Sequence, residues 1–259
     1  MRQGCPERET DRNASHSIPD RMIRMHRGIL REMGVELAVG CRVLDFGCGS
    51  GSSVYAYRAA GFDAHGFDIE NTLELRSPGD MQWFRLAAAD GPYRIPFDDS
   101  SFDFVFSAVT MEHVMNYAVV AAEIARVLRP DAVSFHHFPS RYRPIEPHTF
   151  VPWGGVLQRY VWFLVWAQLG IRNEYQHGLE PREVARRNHE WILEHTNYLT
   201  GLEILDEFSP HFGDVRFIED IYLRHWWLKA RLAAPLVNRF PQLRSLMSGL
   251  HTRALYLRK

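Results

Sequence analysis

Two aspartates and three glycines carry the most specific chemistry in this chain. Asp45 leads into the loop Gly47-Cys48-Gly49-Ser50-Gly51, and Asp68 follows Gly47 by 21 residues. Glycine at alternate positions lets a backbone approach a ligand that any side chain would hold off. An aspartate just ahead of such a loop can accept hydrogen bonds from loop N–H groups or from a ligand ammonium. One that closes the following strand stands where a carboxylate takes both hydroxyls of a ribose. These residues predict nucleoside binding. The dinucleotide pattern G-x-G-x-x-G would need glycine at position 52, where Ser52 stands, so a pyrophosphate-binding oxidoreductase is disfavoured.

To bring these groups together the chain must run strand, loop, helix, turn, strand. Arg42 to Asp45 is a short β-type run, helix-compatible residues continue to Ala60, Gly61 stops them, and a second apolar run ends at Asp68. Upstream, Met22, Met25, Ile29, Leu30 and Met33 fall at helical spacing, which predicts a helix over 19–33. Downstream, Met81 to Leu86, Phe102 to Ser107 and Val133 to Phe138 read as strands. Ala118 to Leu128 reads as a helix ending before Pro130.

Asp45-Phe46-Gly47-Cys48-Gly49-Ser50-Gly51 resembles the first motif of the class I S-adenosylmethionine-dependent methyltransferases. Further stretches agree in order. Asp90 to Phe106 resembles the D-x-x-x-L-P-F-x-x-x-S-F-D-x-V segment of the type 11 methyltransferase family. Met111-Glu112-His113-Val114 matches its L-E-H-V, and Glu123 to Pro130 its E-x-x-R-V-L-x-P, with Asp131-Ala132 in place of two glycines. The resemblance covers residues 40–140. It implies S-adenosyl-L-methionine as cofactor, with Asp45, Phe46, Gly47, Cys48, Gly49 and Gly51 around the methionine part. Asp68 and Ile69 would lie at the ribose, and Ala89 and Asp90 near the adenine. The implied fold is α/β, a Rossmann-like doubly wound, seven-stranded, mostly parallel sheet with helical cap insertions, its last strand antiparallel.

Methyl transfer from a sulfonium is one in-line displacement, so aligning the reactants and excluding water is the main task. A hydroxyl acceptor also needs a base within hydrogen-bond reach. His113, in the turn after the fourth strand, is one candidate. His148 with Glu146, in a proline-punctuated loop, is another, as base and orienting carboxylate. His136 and His137 are adjacent in a strand and point to opposite faces, so at most one faces a pocket. No spacing suggests a metal site, and Cys5, Cys41 and Cys48 suggest neither a disulfide framework nor zinc. A packing role for each histidine, and a plain turn at 146–148, stand as alternatives.

Past Pro139 the chain changes character. Val156 to Ile171 is strongly apolar and holds Tyr160 to Trp166, short of the ~20 residues that span a bilayer. It reads as a buried helix, an apolar pocket wall or an interfacial helix. Pro181 to His195 reads as an exposed helix, Leu199 to Phe208 as another, Val215 to Ile221 as a strand and Thr252 to Arg258 as the last strand. The expected organisation is a loose terminus at 1–18, a cofactor-binding core at 19–138, a cap with the acceptor pocket at 139–198, and completion of the sheet at 199–259 with a basic helical insertion at 222–250.

Net charge is −1, but residues 221–259 hold eight Lys or Arg and no Asp or Glu, leaving 22 basic against 31 acidic residues before them. Trp226, Trp227, Phe240 and Tyr256 lie among these cations. Such a region suits an anionic membrane surface or a lipid-linked acceptor, and also a solvated helix pair. The acidic body and the lack of a binding module argue against nucleic acid. Residues 1–20 lack the apolar run of a secretory signal, so a reducing cytoplasm is expected. The combined expectation is a cytoplasmic methyltransferase acting on oxygen of a small-molecule or lipid-linked metabolite. The alternative is a catalytically silent, cofactor-binding scaffold. Oligomeric state is not encoded in any pattern here.

Overall fold

The computed structural model describes residues 18–88, 93–226 and 249–259. The expected loose terminus at 1–18, the adenine-side residues Ala89 and Asp90, and most of the basic insertion at 222–250 therefore lie outside the described residues, apart from Ile18 and the ends of that insertion.

Seven strands form one sheet: β1 (Arg42–Phe46), β2 (Asp63–Asp68), β3 (Phe84–Leu86), β4 (Phe102–Ala108), β5 (Leu128–Pro139), β6 (Asp214–Phe217) and β7 (Thr252–Arg258). Their order is β3-β2-β1-β4-β5-β7-β6. The pairs from β3 through β5 are parallel, and β7 lies antiparallel between β5 and β6. This is the doubly wound, mostly parallel sheet expected. The order reverses between β1 and β4, and an α/β sheet opens a ligand crevice at the carboxyl ends of the strands at such a point.

Seven helices complete the described fold: α1 (Ile18–Glu32), α2 (Ser52–Ala59), α3 (Tyr117–Val127), α4 (Tyr160–Gln168), α5 (Pro181–His195), α6 (Gly201–Phe208) and α7 (Glu219–Trp226). The two-residue period of the strands divides the core into two layers. Val43, Phe104, Phe106, Val133, Phe135, Ala254 and Tyr256 pack toward α1, α2 and α7. Leu44, Phe102, Val105, Phe138, Leu255 and Leu257 pack toward α3 and α6. A third cluster, Val151, Phe163, Ala167, Val184, Ala185, Ile192 and Tyr198, belongs to the segment between β5 and α6.

Some expectations shift. The strand read at Met81 begins only at Phe84, because Pro78 starts a 3-10 turn that runs through Trp83. The strand read over 215–221 stops at Phe217, where Glu219 and Asp220 open the first turn of α7. Acidic side chains there suit the positive end of a helix. The helix within 156–171 is not fully buried: Phe163 and Ala167 face inward, whereas Val161, Val165 and Leu169 are exposed. α5 turns Val184, Ala185 and Ile192 inward and is exposed on one face only. Asp131, where the resembled family has glycine, adopts a φ of 63°. The left-handed turn is thus kept by a residue type that tolerates it.

Candidate active site

β1 delivers Asp45 at the carboxyl edge of the sheet, in register with Gly66 of β2 and Phe106 of β4. The loop then folds back onto β2. The N–H groups of Gly47 and Cys48 both donate to the Phe67 carbonyl, at 2.8 and 3.0 Å. Gly49 N–H donates to Asp68 Oδ2 at 2.7 Å, and Asp68 Oδ1 accepts from the N–H groups of Ile69 (2.7 Å) and Glu70 (3.2 Å). The two ends of the motif are therefore tied by the aspartate that sequence reasoning placed at the ribose.

Glycine is required at two of these positions. Gly47 has a φ of 78°, and a Cβ there would run into the Thr110 side chain. Gly49 has a φ of 51°, and a Cβ there would enter open space. That space is where a ligand could lie against bare backbone.

The charges fit a cationic ligand. Asp45 is buried, and its carboxyl is pushed well above the usual range by burial first and by the nearby Asp68 charge second. A positive group beside them would relieve both effects. The charged methionine end of the expected cofactor supplies such a group, so the residues present fit it. Phe46 contributes main chain only, since its ring packs against Phe67 at 5.8 Å within the core. Cys48 is a buried thiol pushed up by burial, then by Asp45 and Asp68, and it stays neutral. Ile69 is 64% exposed at the crevice edge.

The turn after β4 lies against this loop. Thr110 approaches Gly47, with its hydroxyl 3.5 Å from the Gly47 carbonyl, and a 3-10 turn follows at Met111–His113. The structure brings His113, His148 and Glu146 together beside that turn, although 35 residues separate the histidines. Their rings lie 5.1 Å apart in an edge-on arrangement. His148 Nδ1 is 2.6 Å from Glu146 Oε1, and the His148 N–H donates to Glu146 Oε2 at 2.9 Å. Glu146 also accepts from Thr149 N–H, the Thr149 hydroxyl and the Tyr198 hydroxyl, at 2.6, 2.8 and 2.8 Å. Burial alone would raise this carboxyl. The His148 ring and the Thr149 bonds outweigh it and hold Glu146 below the usual range. It is an anion made to orient its neighbour.

His113 Nδ1 is 2.7 Å from the His195 carbonyl, which can only accept, so Nδ1 carries the hydrogen. Burial pulls the His113 ring below its ordinary value, only partly opposed by that bond. Trp191 of α5 closes the group from the segment between β5 and α6, 4.5 Å from the His148 ring and 6.2 Å from His113. Three members of this site escape sequence reasoning. Tyr198 and Trp191 come from distant segments with no motif. Glu112 was legible only as the residue beside His113. Its side chain is buried, both carboxylate oxygens lack a hydrogen-bond partner among the described residues, and burial pushes its acid up to about 7.

The adjacent pair in β5 is structural. His136 is buried between the Ser107 and Ser134 hydroxyls, at 2.8 and 2.6 Å. His137 lies on the other face, its ring 5.3 Å from Tyr222. His26 of α1 is a further buried histidine, bonded to the Tyr57 hydroxyl at 2.6 Å. Of the basic residues near the chain end, Arg224 pairs with Glu32 and Asp220, Arg253 with Glu219, and Lys259 donates to the Leu128 carbonyl. Those three serve the fold. No helix among the described residues is long and apolar enough to cross a membrane.

Residues 44–135 match the family described as "Methyltransferase domain". The chain is similar to O-methyltransferase cnsE of Penicillium expansum, 31% identical over 129 residues, covering 43% of this chain and 46% of that one. It is also similar to demethylmenaquinone methyltransferase of Staphylococcus aureus, 33% identical over 108 residues, covering 39% and 44%. The chain thus spans under half the length of these two curated relatives. In fold it is similar to an S-adenosylmethionine-dependent methyltransferase from Mesorhizobium loti, with a TM-score of 0.51 at 15% identity over 89% of this chain and 95% of that one.

Proposed function

We propose that the chain, whose residues 44–135 match the methyltransferase-domain family, is a class I S-adenosylmethionine-dependent methyltransferase that methylates a hydroxyl oxygen of a small-molecule or lipid-linked acceptor. The observation that carries the proposal is the His148–Glu146 pair, beside His113, on the turn that packs against the glycine loop. A hydroxyl is a poor nucleophile until its proton is removed, and a carboxylate-oriented imidazole is suited to removing it.

The cofactor supplies a methyl group bonded to a positively charged sulfur. Asp45, the bare backbone at Gly49 and Asp68 would hold it. Glu146 fixes the His148 ring through Nδ1, which leaves Nε2 to take the proton of an acceptor hydroxyl. Trp191 and the apolar cluster of residues 139–198 keep water from the reacting groups and supply an apolar wall. We assign that segment as the acceptor cap. The exposed Val161, Val165 and Leu169 of α4 extend the apolar surface outward, which suits an acceptor with a hydrocarbon tail. The relatives named for cnsE O-methylation and for demethylmenaquinone are compatible with that acceptor class.

The test is an acceptor screen with labelled S-adenosylmethionine, covering phenols, hydroxy acids, quinols and prenylated phenols, with products identified by mass spectrometry. Methylation at oxygen, lost in His148→Ala while cofactor binding persists, is the expected result. A protein that binds the cofactor yet methylates only carbon or nitrogen would overturn the oxygen assignment.

A further inference from the structure

Three groups that can accept hydrogen bonds, or bind a cation, converge at the turn after β4. Glu112 follows β4 by four residues and is 1% exposed, and neither of its oxygens has a hydrogen-bond partner among the described residues. His113 spends its Nδ1 hydrogen on the His195 carbonyl, which leaves Nε2 directed toward Glu112 Oε1 at 3.9 Å. His148 spends its Nδ1 on Glu146, which leaves its Nε2 as well. One ligand atom from each of Glu112, His113 and His148 lies within 4.8 Å of the others. We propose that these three residues form a binding site for a divalent first-row transition metal ion, of the zinc or manganese kind.

The chemistry of the donor set favours this over a packing role. A buried carboxylate without a donor is costly, because it has lost its water and gained nothing in return. A cation among the three groups satisfies all of them at once. Two imidazoles and one carboxylate suit borderline divalent ions and leave a coordination position open. Ligands about 2 Å from one ion stand roughly 3 to 3.5 Å apart, so the observed spread closes with small rotations of the two half-exposed rings. The outer partners are already in place. A ligating histidine ordinarily donates its other N–H to a carboxylate or a backbone carbonyl, and His148 and His113 do one each. Glu146, with its Thr149 and Tyr198 donors, is held as such an outer carboxylate. Sequence spacing conceals the site because two ligands are adjacent and the third arrives from a loop beyond β5.

The inference concerns the same turn as the methyl-transfer reading but does not depend on it. With an ion bound, His148 is a ligand and no longer a proton acceptor. An acceptor hydroxyl could then coordinate in the open position and lose its proton to water.

The test needs neither methyl donor nor acceptor. The full chain, stripped with chelator, is titrated with Co²⁺ followed by its visible absorption bands, and with Zn²⁺, Mn²⁺ and Mg²⁺ by calorimetry. One Co²⁺, Zn²⁺ or Mn²⁺ per chain is expected, with Mg²⁺ weaker. Glu112→Gln and His148→Ala should each weaken binding by more than tenfold, and Glu146→Gln by about ten- to a hundredfold through the outer partner. Circular dichroism and thermal unfolding check that each variant is folded. Glu112→Gln keeps the side-chain shape, so it remains decisive if His148→Ala fails to fold. Absence of saturable binding, or binding equally tight in Glu112→Gln, overturns the site. Loss of S-adenosylmethionine binding by the parent protein would instead defeat the methyl-transfer reading and leave the metal result standing.

Discussion

Asp68→Ala isolates the contribution of one carboxylate to cofactor binding. In the structure, Oδ2 accepts from Gly49 N–H at 2.7 Å and Oδ1 from Ile69 N–H at 2.7 Å. The substitution therefore removes the tie between loop and second strand as well as the acceptor offered to a ribose. Hydrogen bonds to a charged group contribute about 1.5–3 kcal/mol each. Losing one such bond to the cofactor weakens binding by about ten- to a hundredfold, since 1.4 kcal/mol corresponds to a factor of ten. Loosening of the loop adds to this, because the cofactor must then order it. Calorimetric titration with S-adenosylmethionine reads the affinity, and thermal unfolding without cofactor reads the loop. Asp68→Asn, which retains an oxygen acceptor, should fall between the two proteins. An Asp68→Ala affinity within threefold of the parent would refute the assignment of this residue to the ribose.

His137 should make the fold acid-sensitive. Burial pulls it down to about 4, so it stays neutral in the folded chain after the unfolded chain has taken a proton below pH 6.5. Stability falls as pH drops through that window, by about 2.5 kcal/mol at pH 4.5. His137→Phe should reduce the slope of denaturant-derived stability between pH 6.5 and 4.5 by its share, buried His136 and His26 keeping theirs, and an unchanged slope would remove His137 as a cause. Gly47→Ala should cost about 1–2 kcal/mol from its left-handed φ alone, and more from the Thr110 contact, visible as a lower unfolding temperature and weaker cofactor binding. Tyr198→Phe removes one donor to Glu146 and should lower kcat several-fold with little change in the KM for S-adenosylmethionine, because Tyr198 positions the base pair without touching the cofactor loop. A matched fall in cofactor affinity would show that its role is structural.

Much of the fold was written locally. The loop from Asp45 to Asp68 is one strand, one turn, one helix and one strand, each set by neighbours in the chain, so glycine positions and apolar periodicity were enough to locate it. The antiparallel last strand came from alternation in Thr252 to Arg258, joined to the resemblance. Expectations slipped where a local pattern was ambiguous. Val215 to Ile221 reads as a strand, but Glu219 and Asp220 start a helix. The 156–171 run left a buried helix, a pocket wall and an interfacial helix open by composition, and α4 turns Phe163 and Ala167 inward while leaving Val161 and Leu169 exposed.

The sequence by itself therefore located the glycine loop and its flanking strands: which carboxylates flank which glycines, and where the strand–loop–helix–strand unit begins and ends. These follow from short-range geometry, in which a one-residue shift would turn Asp45 or Asp68 to the wrong face. Only the tertiary structure brought together the residues of the proposed acceptor side. Glu112 and His113 come from the turn after β4, His148 and Glu146 from a loop beyond β5, and Trp191 and Tyr198 from the far end of the cap. No periodicity connects those positions. Their meeting depends on the cap packing down beside the carboxyl edge of the sheet, a long-range arrangement set by the burial of side chains that are distant in sequence.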